Sequence, residues 1–193
     1  MTNHPNPPAD FARRKLPLVR LRGTFYRIHR AHRAALYFGK AGTYRFDAPS
    51  KEFGVLYAGR DMYCAFIETF GHATGVRFVD ATELAARALA EIRVRRPLRF
   101  VDLRASGLAR VGADAELTSG TDYALAHRWS LAFYRHPQKP DGIAYRARHD
   151  PSRVSVAIFD RAKSLLRVKS RTRLDANADK LADLLDTYDF GLV

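Results

Sequence analysis

One acidic residue stands out in the otherwise uncharged segment Met62–Phe70. Glu68 is its only charge, and apolar residues surround the predicted helix instead of lining one stripe. We therefore expect other parts of the chain to cover this helix on more than one side. Two interpretations of Glu68 stay open: a side chain that faces water at the end of the helix, or a buried functional carboxylate with cations nearby.

Two arginines upstream could supply those cations. Arg27 lies in a predicted strand and Arg45 in an irregular stretch, and both have aromatic neighbours. An arginine beside aromatic rings can hold a phosphate with its planar fork while the rings stack on a base. The alternative is that each is a solvated charge, because the chain has 33 lysines and arginines. Tyr57, at the end of a short apolar strand, is either a site residue or a core tyrosine.

Other kinds of chemistry find little support in the sequence. The seven histidines show no paired metal-binding spacing, the single cysteine Cys64 rules out a cysteine-rich zinc site, and no phosphate-binding glycine motif or nucleophile elbow is present. We expect no metal site.

The chain carries a formal net charge of +13, which favours anionic partners. Its basic clusters Arg93/Arg95/Arg96 and Lys169/Arg171/Arg173 alternate with other residues, as on one face of a strand. A solvated charged face is the first interpretation of both clusters, and a nucleic-acid patch is the second.

The length of 193 residues suits one domain, and 47% hydrophobic residues can form its core. We predict a flexible, proline-rich lead over residues 1–17 and a single domain over residues 18–193. The lead has no apolar core of a signal peptide, and no apolar run is long enough to span a bilayer. These features predict a cytoplasmic protein without membrane contact.

Strands and helices alternate irregularly along the chain, which favours an α+β domain with mixed or antiparallel strands and flanking helices. Asp61 and Asp122 are predicted helix N-caps, and Thr118–Thr121 is a predicted turn. The predicted strands are Thr24–His29, Gly54–Ala58, Ile92–Val94, Leu98–Leu103, Gly142–Tyr145, Val154–Phe159 and Leu165–Arg171. The predicted helices follow Asp61 as far as Gly71, span Thr82–Ala90, follow Asp122 through Arg135, and begin at Asp175.

Several segments in a fixed order together carry a family resemblance. They are Phe25-Tyr26-Arg27, Tyr44-Arg45-Phe46-Asp47-Ala48-Pro49, Gly54-Val55-Leu56-Tyr57-Ala58, Ala65-Phe66-Ile67-Glu68-Thr69, Pro140-Asp141-Gly142-Ile143-Ala144-Tyr145-Arg146 and Ser155-Val156-Ala157-Ile158-Phe159. Between about Thr24 and Phe159, the chain resembles the RES domain, a family named after its Arg, Glu and Ser residues.

The resemblance implies the toxin of a bacterial toxin–antitoxin pair whose antitoxin is of the Xre-like helix-turn-helix type. It implies a fold similar to ADP-ribosyltransferases, and NAD+ as a substrate rather than as a bound cofactor. NAD+ would be consumed by phosphorolysis, by hydrolysis or by transfer of ADP-ribose to a protein. Carried over by position, Glu68 and Arg27 are the catalytic residues, and Arg27, Arg45, Tyr57 and Thr121 contact NAD+.

The sequence departs from the family pattern in two places. Ala147 stands where many relatives have a serine. A second hydroxyl position of the family, just before the predicted helix that follows Asp122, falls near Thr121 and Asp122, and Thr121 or Ser119 is the candidate to supply it. Tyr44 and Asp47 replace a glycine and an asparagine around Arg45.

Two rival functions stay open. One is a catalytically weakened RES fold that serves as an interaction module, and the other is a basic nucleic-acid-binding domain, although no nucleic-acid-binding motif supports direct contact. The apolar face of the helix from Asp175 to Leu185 is a candidate contact for an antitoxin or a second copy of the chain.

Overall fold

The computed structural model of the chain describes residues 5–193. The strands within this range are β1 Leu18–Leu21, β2 Thr24–Arg30, β3 Val55–Gly59, β4 Phe78–Val79, β5 Arg87–Val94, β6 Leu98–Asp102, β7 Gly142–Arg146, β8 Val154–Phe159, β9 Leu166–Arg173 and β10 Gly191–Leu192. The α-helices are α1 Met62–Phe70, α2 Ala81–Ala85, α3 Gly107–Val111, α4 Glu116–Ser119, α5 Tyr123–Arg135 and α6 Ala178–Thr187.

Eight of these strands form one mixed sheet in the order β1-β6-β7-β8-β3-β2-β5-β9. Its neighbouring strands are antiparallel except for β6 and β7. The short strands β4 and β10 form a separate parallel pair. This arrangement, with helices flanking a single mixed sheet, confirms the predicted α+β class.

The sheet is weakly joined between β2 and β3. Tyr26 and Gly59 are the one residue pair in register between these strands, whereas β2 pairs with β5 along all seven of its residues. Gly59 also lets α1 approach the sheet closely, since a Cβ atom there would lie 2.6 Å from Cβ of Cys64. The neighbouring strands β2 and β3 therefore have room for a cavity beside α1.

The central strands are buried on both faces, with alternate residues in different core clusters. On β3, Val55 packs with the α5 residues Trp129 and Phe133, while Leu56 packs on the opposite side of the sheet with Ile158. A third cluster lies around α1 and α6 and includes Phe66, Leu84 and Leu184.

The segment before β1 packs against α5. Phe11 is buried in a 3₁₀ turn and contacts the rings of Trp129 and Phe133 edge-on. Trp129 Nε1 donates a hydrogen bond to the Pro5 carbonyl, and Leu16 is also buried. Residues 1–4 of the predicted flexible lead lie outside the described residues, and the division of the chain after residue 17 stays a prediction.

Three predicted elements differ in the structure. The helix predicted over Thr82–Ala90 is only five residues long and is capped by Asp80. The chain continues as strand β5 from Arg87, because pairing with β2 and β9 outweighs the helical propensity of this alanine-rich stretch. Part of the predicted turn at Thr118–Thr121 belongs to α4. The last helix is capped by Asn177 and not by Asp175, which lies in a preceding 3₁₀ turn.

The apolar face of α6 is largely covered within the chain. Leu184 is buried, and Leu181 and Leu185 pack around it in the cluster that includes α1. This packing leaves little of the face for the partner contact that the sequence suggested. Among the described residues, none of the helices has the length and apolar character needed to cross a membrane.

Candidate active site

A cavity of about 350 Å³ lies where β2 and β3 diverge, beside α1. Four of the five predicted site residues line it: Arg27, Arg45, Tyr57 and Glu68. They come from β2, the β2–β3 loop, β3 and α1, so residues far apart in sequence meet in one cleft. The fold thus brings two guanidinium groups, one carboxylate and one phenol ring to the same space.

Glu68 is held by main-chain groups. It lies in the last turn of α1, a helix whose start is fixed by Asp61, which accepts a hydrogen bond from the Cys64 amide. Glu68 Oε1 accepts a hydrogen bond of 2.9 Å from the Arg148 amide and lies 3.5 Å from the His149 amide. These donors, from the β7–β8 hairpin, offset the unfavourable position of an anion at a helix C-terminus. Among the described residues, none donates a hydrogen bond to Oε2.

The loop that carries Arg45 is fastened to β3 and α5. Asp47 is fully buried and accepts hydrogen bonds from the Thr43 and Tyr44 amides through Oδ2 and from the Tyr57 hydroxyl through Oδ1. The Tyr57 hydroxyl in turn accepts a hydrogen bond from the Phe46 amide. Burial, and next the charge of Asp47, raise the pKa of Tyr57 well above its ordinary value. The hydroxyl of Tyr57 is therefore engaged by the loop, and only its ring is available to a ligand.

The same loop is tied to α5 through a second contact. Ser130 donates a hydrogen bond of 2.7 Å from Oγ to the Phe46 carbonyl, and both residues are buried. The loop around Arg45 is thus held from two sides.

Arg45 is a buried cation with no anionic partner of its own. It is 7% exposed, donates a hydrogen bond to the Gly120 carbonyl and lies 4.8 Å from the centre of the Tyr123 ring. Among the residues described, no carboxylate is within ion-pair distance of it. Burial lowers its pKa, while the neighbouring charge of Glu68 acts to raise it. A desolvated, unpaired guanidinium of this kind is prepared to receive an anionic ligand.

Arg27 is a half-buried cation that also lines the cavity. Its Nη1 donates a hydrogen bond of 2.8 Å to the Tyr37 carbonyl, and burial lowers its pKa to about 10. Within residues 5–193, it too lacks a carboxylate within ion-pair distance. The exposed ring of Tyr44 lines the cavity near Arg27, and the exposed Tyr37 also lies close to Arg27.

The structure adds cavity residues that the sequence analysis did not select. Arg148 is exposed and has no side-chain partner in the described part of the chain, and its neighbour His149 has a buried Nε2 atom without a hydrogen-bond partner. Tyr123 and Ser155 also line the cavity. Arg146 and Arg148 stand two residues apart in the sequence, which does not show which of the two turns toward the cavity.

Thr121 and Ala147 are not brought to the cavity. Thr121 is exposed in the turn that ends at the Asp122 cap of α5, and Tyr123 reaches the cavity instead. Ala147 is 1% exposed and does not line the cavity. Ser155 on β8 is the serine that lines the cavity, and its Oγ atom lies 3.3 Å from Sγ of Cys64.

Cys64 and the histidines offer no clear further chemistry. Burial raises the pKa of Cys64 to about 12, so it lines the cavity as a neutral thiol. Among residues 5–193, no group of three or more His, Cys, Asp or Glu side chains is placed to hold a metal ion. The cavity thus combines two arginines without a carboxylate partner, several aromatic rings and one carboxylate.

Comparison with known proteins gives a family match and two relatives. The family model described as the RES domain matches residues 24–179. A curated protein of Sinorhizobium fredii, named "Probable toxin y4kH", is 32% identical over 115 residues, which cover 60% of this chain and 90% of that protein.

A solved structure shares the fold. A chain from the crystal structure of the M. tuberculosis MbcT–MbcA toxin–antitoxin complex superposes with a TM-score of 0.69 at 19% identity, over 88% of this chain and 92% of that one.

Proposed function

This chain belongs to the RES domain family, and we propose that it is the toxin of a toxin–antitoxin pair that cleaves the nicotinamide–ribose bond of NAD+. The names of the two relatives support the toxin part of this proposal. One observation carries the chemical part: Glu68, Arg27 and Arg45 line a single cavity, and both arginines lack anionic partners within the described chain.

Glu68 is suited to stabilise the transition state. Cleavage of the bond between nicotinamide and ribose builds positive, oxocarbenium-like charge on the sugar, and a fixed carboxylate lowers the energy of that charge. One oxygen of Glu68 is anchored to the Arg148 amide, which leaves Oε2 for the ribose. The anchor holds the carboxylate in place before substrate arrives, and such preorganised groups are worth a few kcal/mol.

The arginines are suited to the phosphates. NAD+ carries a pyrophosphate, and Arg45 and Arg27 present desolvated guanidinium groups to the cavity from the β2–β3 loop and from β2. Arg148, whose amide holds Glu68, adds a third, exposed arginine to the lining of the cavity. The ring of Tyr57 packs beside that of Tyr44 at 5.6 Å and can frame the nicotinamide, while its hydroxyl stays bound to Asp47.

The leaving group explains why a proton donor is not needed. Nicotinamide leaves NAD+ as a neutral molecule, so no strong general acid has to protonate it. The groups required are a carboxylate near the ribose and cations near the phosphates. The acceptor of the ADP-ribosyl group is water, inorganic phosphate or a protein side chain, and the products distinguish these three.

The biological setting follows from the same proposal. The substrate is NAD+ itself, without a further cofactor, so we place the protein in the cytoplasm, where NAD+ is available. The partner is an antitoxin of the Xre type, which restrains the activity in the producing cell.

The experiment is to incubate the purified chain with NAD+ and measure released nicotinamide, with NADH as the matched control. In NADH the ring nitrogen is uncharged and dihydronicotinamide is a poor leaving group, so we expect release from NAD+ only. Mass analysis of the second product, with and without phosphate, identifies the acceptor. Absence of nicotinamide release at any protein concentration would contradict the proposal.

Ala147 favours a second candidate function. The family resemblance implies a serine at this position, and its loss is the feature expected of a weakened enzyme kept as an interaction module. In that case the chain binds an antitoxin without releasing nicotinamide. The hydroxyl of Ser155 within the cavity argues for the enzyme.

A further inference from the structure

A second basic cavity lies away from the candidate active site. It has a volume of about 400 Å³ and is formed by the β1–β2 turn, the end of β5 and the β5–β6 turn. Its charged residues are all arginines: Arg22, Arg93, Arg95 and Arg96. Arg93 lies six positions along β5 from Arg87, which lines the active-site cavity, and this spacing corresponds to about 20 Å along a strand.

The backbone of this arginine cavity is fixed by the sheet. Val94 donates an amide hydrogen bond to the Gly23 carbonyl, and Arg95 donates one to the Leu165 carbonyl. Arg60 donates a side-chain hydrogen bond to the Arg22 carbonyl. The turns that carry the arginines are therefore held in place, although the side chains themselves are exposed.

The guanidinium groups of Arg22, Arg93 and Arg95 are unpartnered in the described residues. The other basic cluster identified in the sequence behaves differently: Lys169 pairs with Glu91, Arg171 donates to the Ala31 carbonyl and Arg173 pairs with Asp175. The two clusters look alike in sequence, but every member of the second cluster has a partner, whereas in the first only Arg96 has one, an ion pair of 3.4 Å with Asp141.

One arginine of this cavity, Arg93, also faces a like charge on the neighbouring strand. Arg93 pairs in register with Arg167 on β9, and like charges opposite one another destabilise a sheet. The similar pair Arg30 and Arg87 is relieved because Arg87 bonds to Glu83. Within residues 5–193, no anion relieves Arg93 and Arg167. An anionic ligand at this position would remove the repulsion.

The surroundings point to phosphates of a nucleic acid instead of an acidic protein. Arginine forks match phosphate geometry, and phosphate contacts supply most of the sequence-independent affinity for nucleic acids. The lining includes only Val94 and Pro97 as apolar side chains and has no aromatic ring. A protein partner would find no hydrophobic anchor of the kind that carries most interface energy.

We propose that the arginine cavity formed by Arg22, Arg93, Arg95 and Arg96 binds the phosphate backbone of duplex nucleic acid without sequence preference. This function is independent of NAD+ cleavage, because the cavity shares no lining residue with the active-site cavity. It gives a role to part of the +13 charge that the active site does not use.

The test compares two triple variants that remove the same charge. One changes Arg22, Arg93 and Arg95 to Gln, and the control changes the exposed helix residues Arg13, Arg110 and Arg135 to Gln. Binding to a labelled 20-base-pair duplex is measured by fluorescence anisotropy over a range of salt concentrations. We expect the cavity variant to lose affinity at least tenfold and its log–log salt slope to fall by about 2 to 3, whereas the control loses about threefold or less.

Three outcomes would overturn the proposal. The first is that the natural chain shows no duplex binding, the second is that the two triple variants lose affinity for the duplex equally, and the third is that the arginine cavity binds poly-glutamate and not the duplex. Circular dichroism and thermal melting establish that both variants are folded. Nicotinamide release from NAD+ is measured in parallel and is expected to be equal in the cavity variant and the natural chain, so failure of one function leaves the other independently tested.

Discussion

The hydroxyl of Tyr57 donates a hydrogen bond of 3.0 Å to the buried carboxylate of Asp47 and so joins β3 to the loop that carries Arg45. The same hydroxyl accepts a hydrogen bond from the Phe46 amide. The sequence analysis predicted Tyr57 as a direct contact to NAD+, and the structure gives its hydroxyl a positioning role. The geometry of Arg45 thus depends on a phenol that lies on another element.

Exchange of Tyr57 for Phe tests this role. It leaves the Phe46 amide and one oxygen of Asp47 without a partner, which is expected to lower the free energy of unfolding by about 1–3 kcal/mol. Because the loop is loosened, the KM for NAD+ should rise more than kcat falls. The matched control is Tyr134→Phe. The hydroxyl of Tyr134 lies 3.4 Å from Asp160, a longer and weaker contact, so its removal should lower the free energy of unfolding by less. Equal effects of the two variants on KM would remove the positioning role.

Exchange of Glu68 for Gln tests the carboxylate. The Gln side chain can still accept a hydrogen bond from the Arg148 amide, so the fold should persist while the negative charge is lost. We expect nicotinamide release to fall by roughly 10²–10³. Glu52→Gln, at an exposed position that only caps its own turn, should keep full activity. Full activity of the Glu68 variant would exclude Glu68 from the reaction.

Arg148 and Arg146 form a matched pair on one hairpin. Both are exposed, but only Arg148 lines the cavity, and Arg146 donates to the Ser152 carbonyl. Arg148→Ala should raise the KM for NAD+ by roughly 10-fold, as expected for one charge-assisted hydrogen bond, with little change in Tm. Arg146→Ala should leave the KM unchanged. If both variants behave alike in steady-state kinetics, Arg148 does not contact the substrate.

Phe11 tests whether the segment before β1 stabilises the domain. Its ring is 5% exposed and packs against Trp129, so Phe11→Ala should cost about 3 kcal/mol and lower Tm by roughly 10 °C. Phe78 is 56% exposed, and Phe78→Ala should change Tm by only about 1 °C. Thermal unfolding followed by circular dichroism measures both, and a similar Tm for the two variants would show that the segment adds no stability.

His29 predicts a loss of stability in acid. Burial lowers its pKa below the ordinary value, and its Nε2 has no hydrogen-bond partner in the described structure. At this position the unfolded chain binds a proton more readily than the folded chain does. The contribution of His29 to the free energy of unfolding is therefore fully present above about pH 6.5 and is lost as the pH falls through the lowered pKa. Between pH 7.5 and 5.0, Tm should fall less in His29→Asn than in the natural chain. The exposed His32→Asn variant should follow the natural chain.

Elements with strong local signals were predictable from the sequence. Asp61 and Asp122 cap α1 and α5 as expected, and the apolar runs of β3 and β8 form central strands. The error at Thr82–Ala90 has a physical cause: alanine-rich residues favour a helix locally, and their pairing between β2 and β9 is a long-range interaction that periodicity does not contain.

The candidate site was predictable in part. The family resemblance selected Arg27, Arg45, Tyr57 and Glu68, and the structure brings them to one cavity. Arg148 was missed because a hairpin must first fold to show which of its arginines faces inward. Thr121 was selected by position along the chain, but the start of α5 turns Tyr123 toward the cavity and leaves Thr121 in solvent.

The contact between Glu68 and the β7–β8 hairpin has an evolutionary consequence. Its donors are peptide amides, which every amino acid except proline supplies. Side chains at positions 148 and 149 can therefore be substituted among homologues, for example to tune substrate choice or to escape an inhibitor, without loss of the hydrogen bonds that hold Glu68. Proline at position 148 is the exception, because it has no amide hydrogen to donate to Glu68.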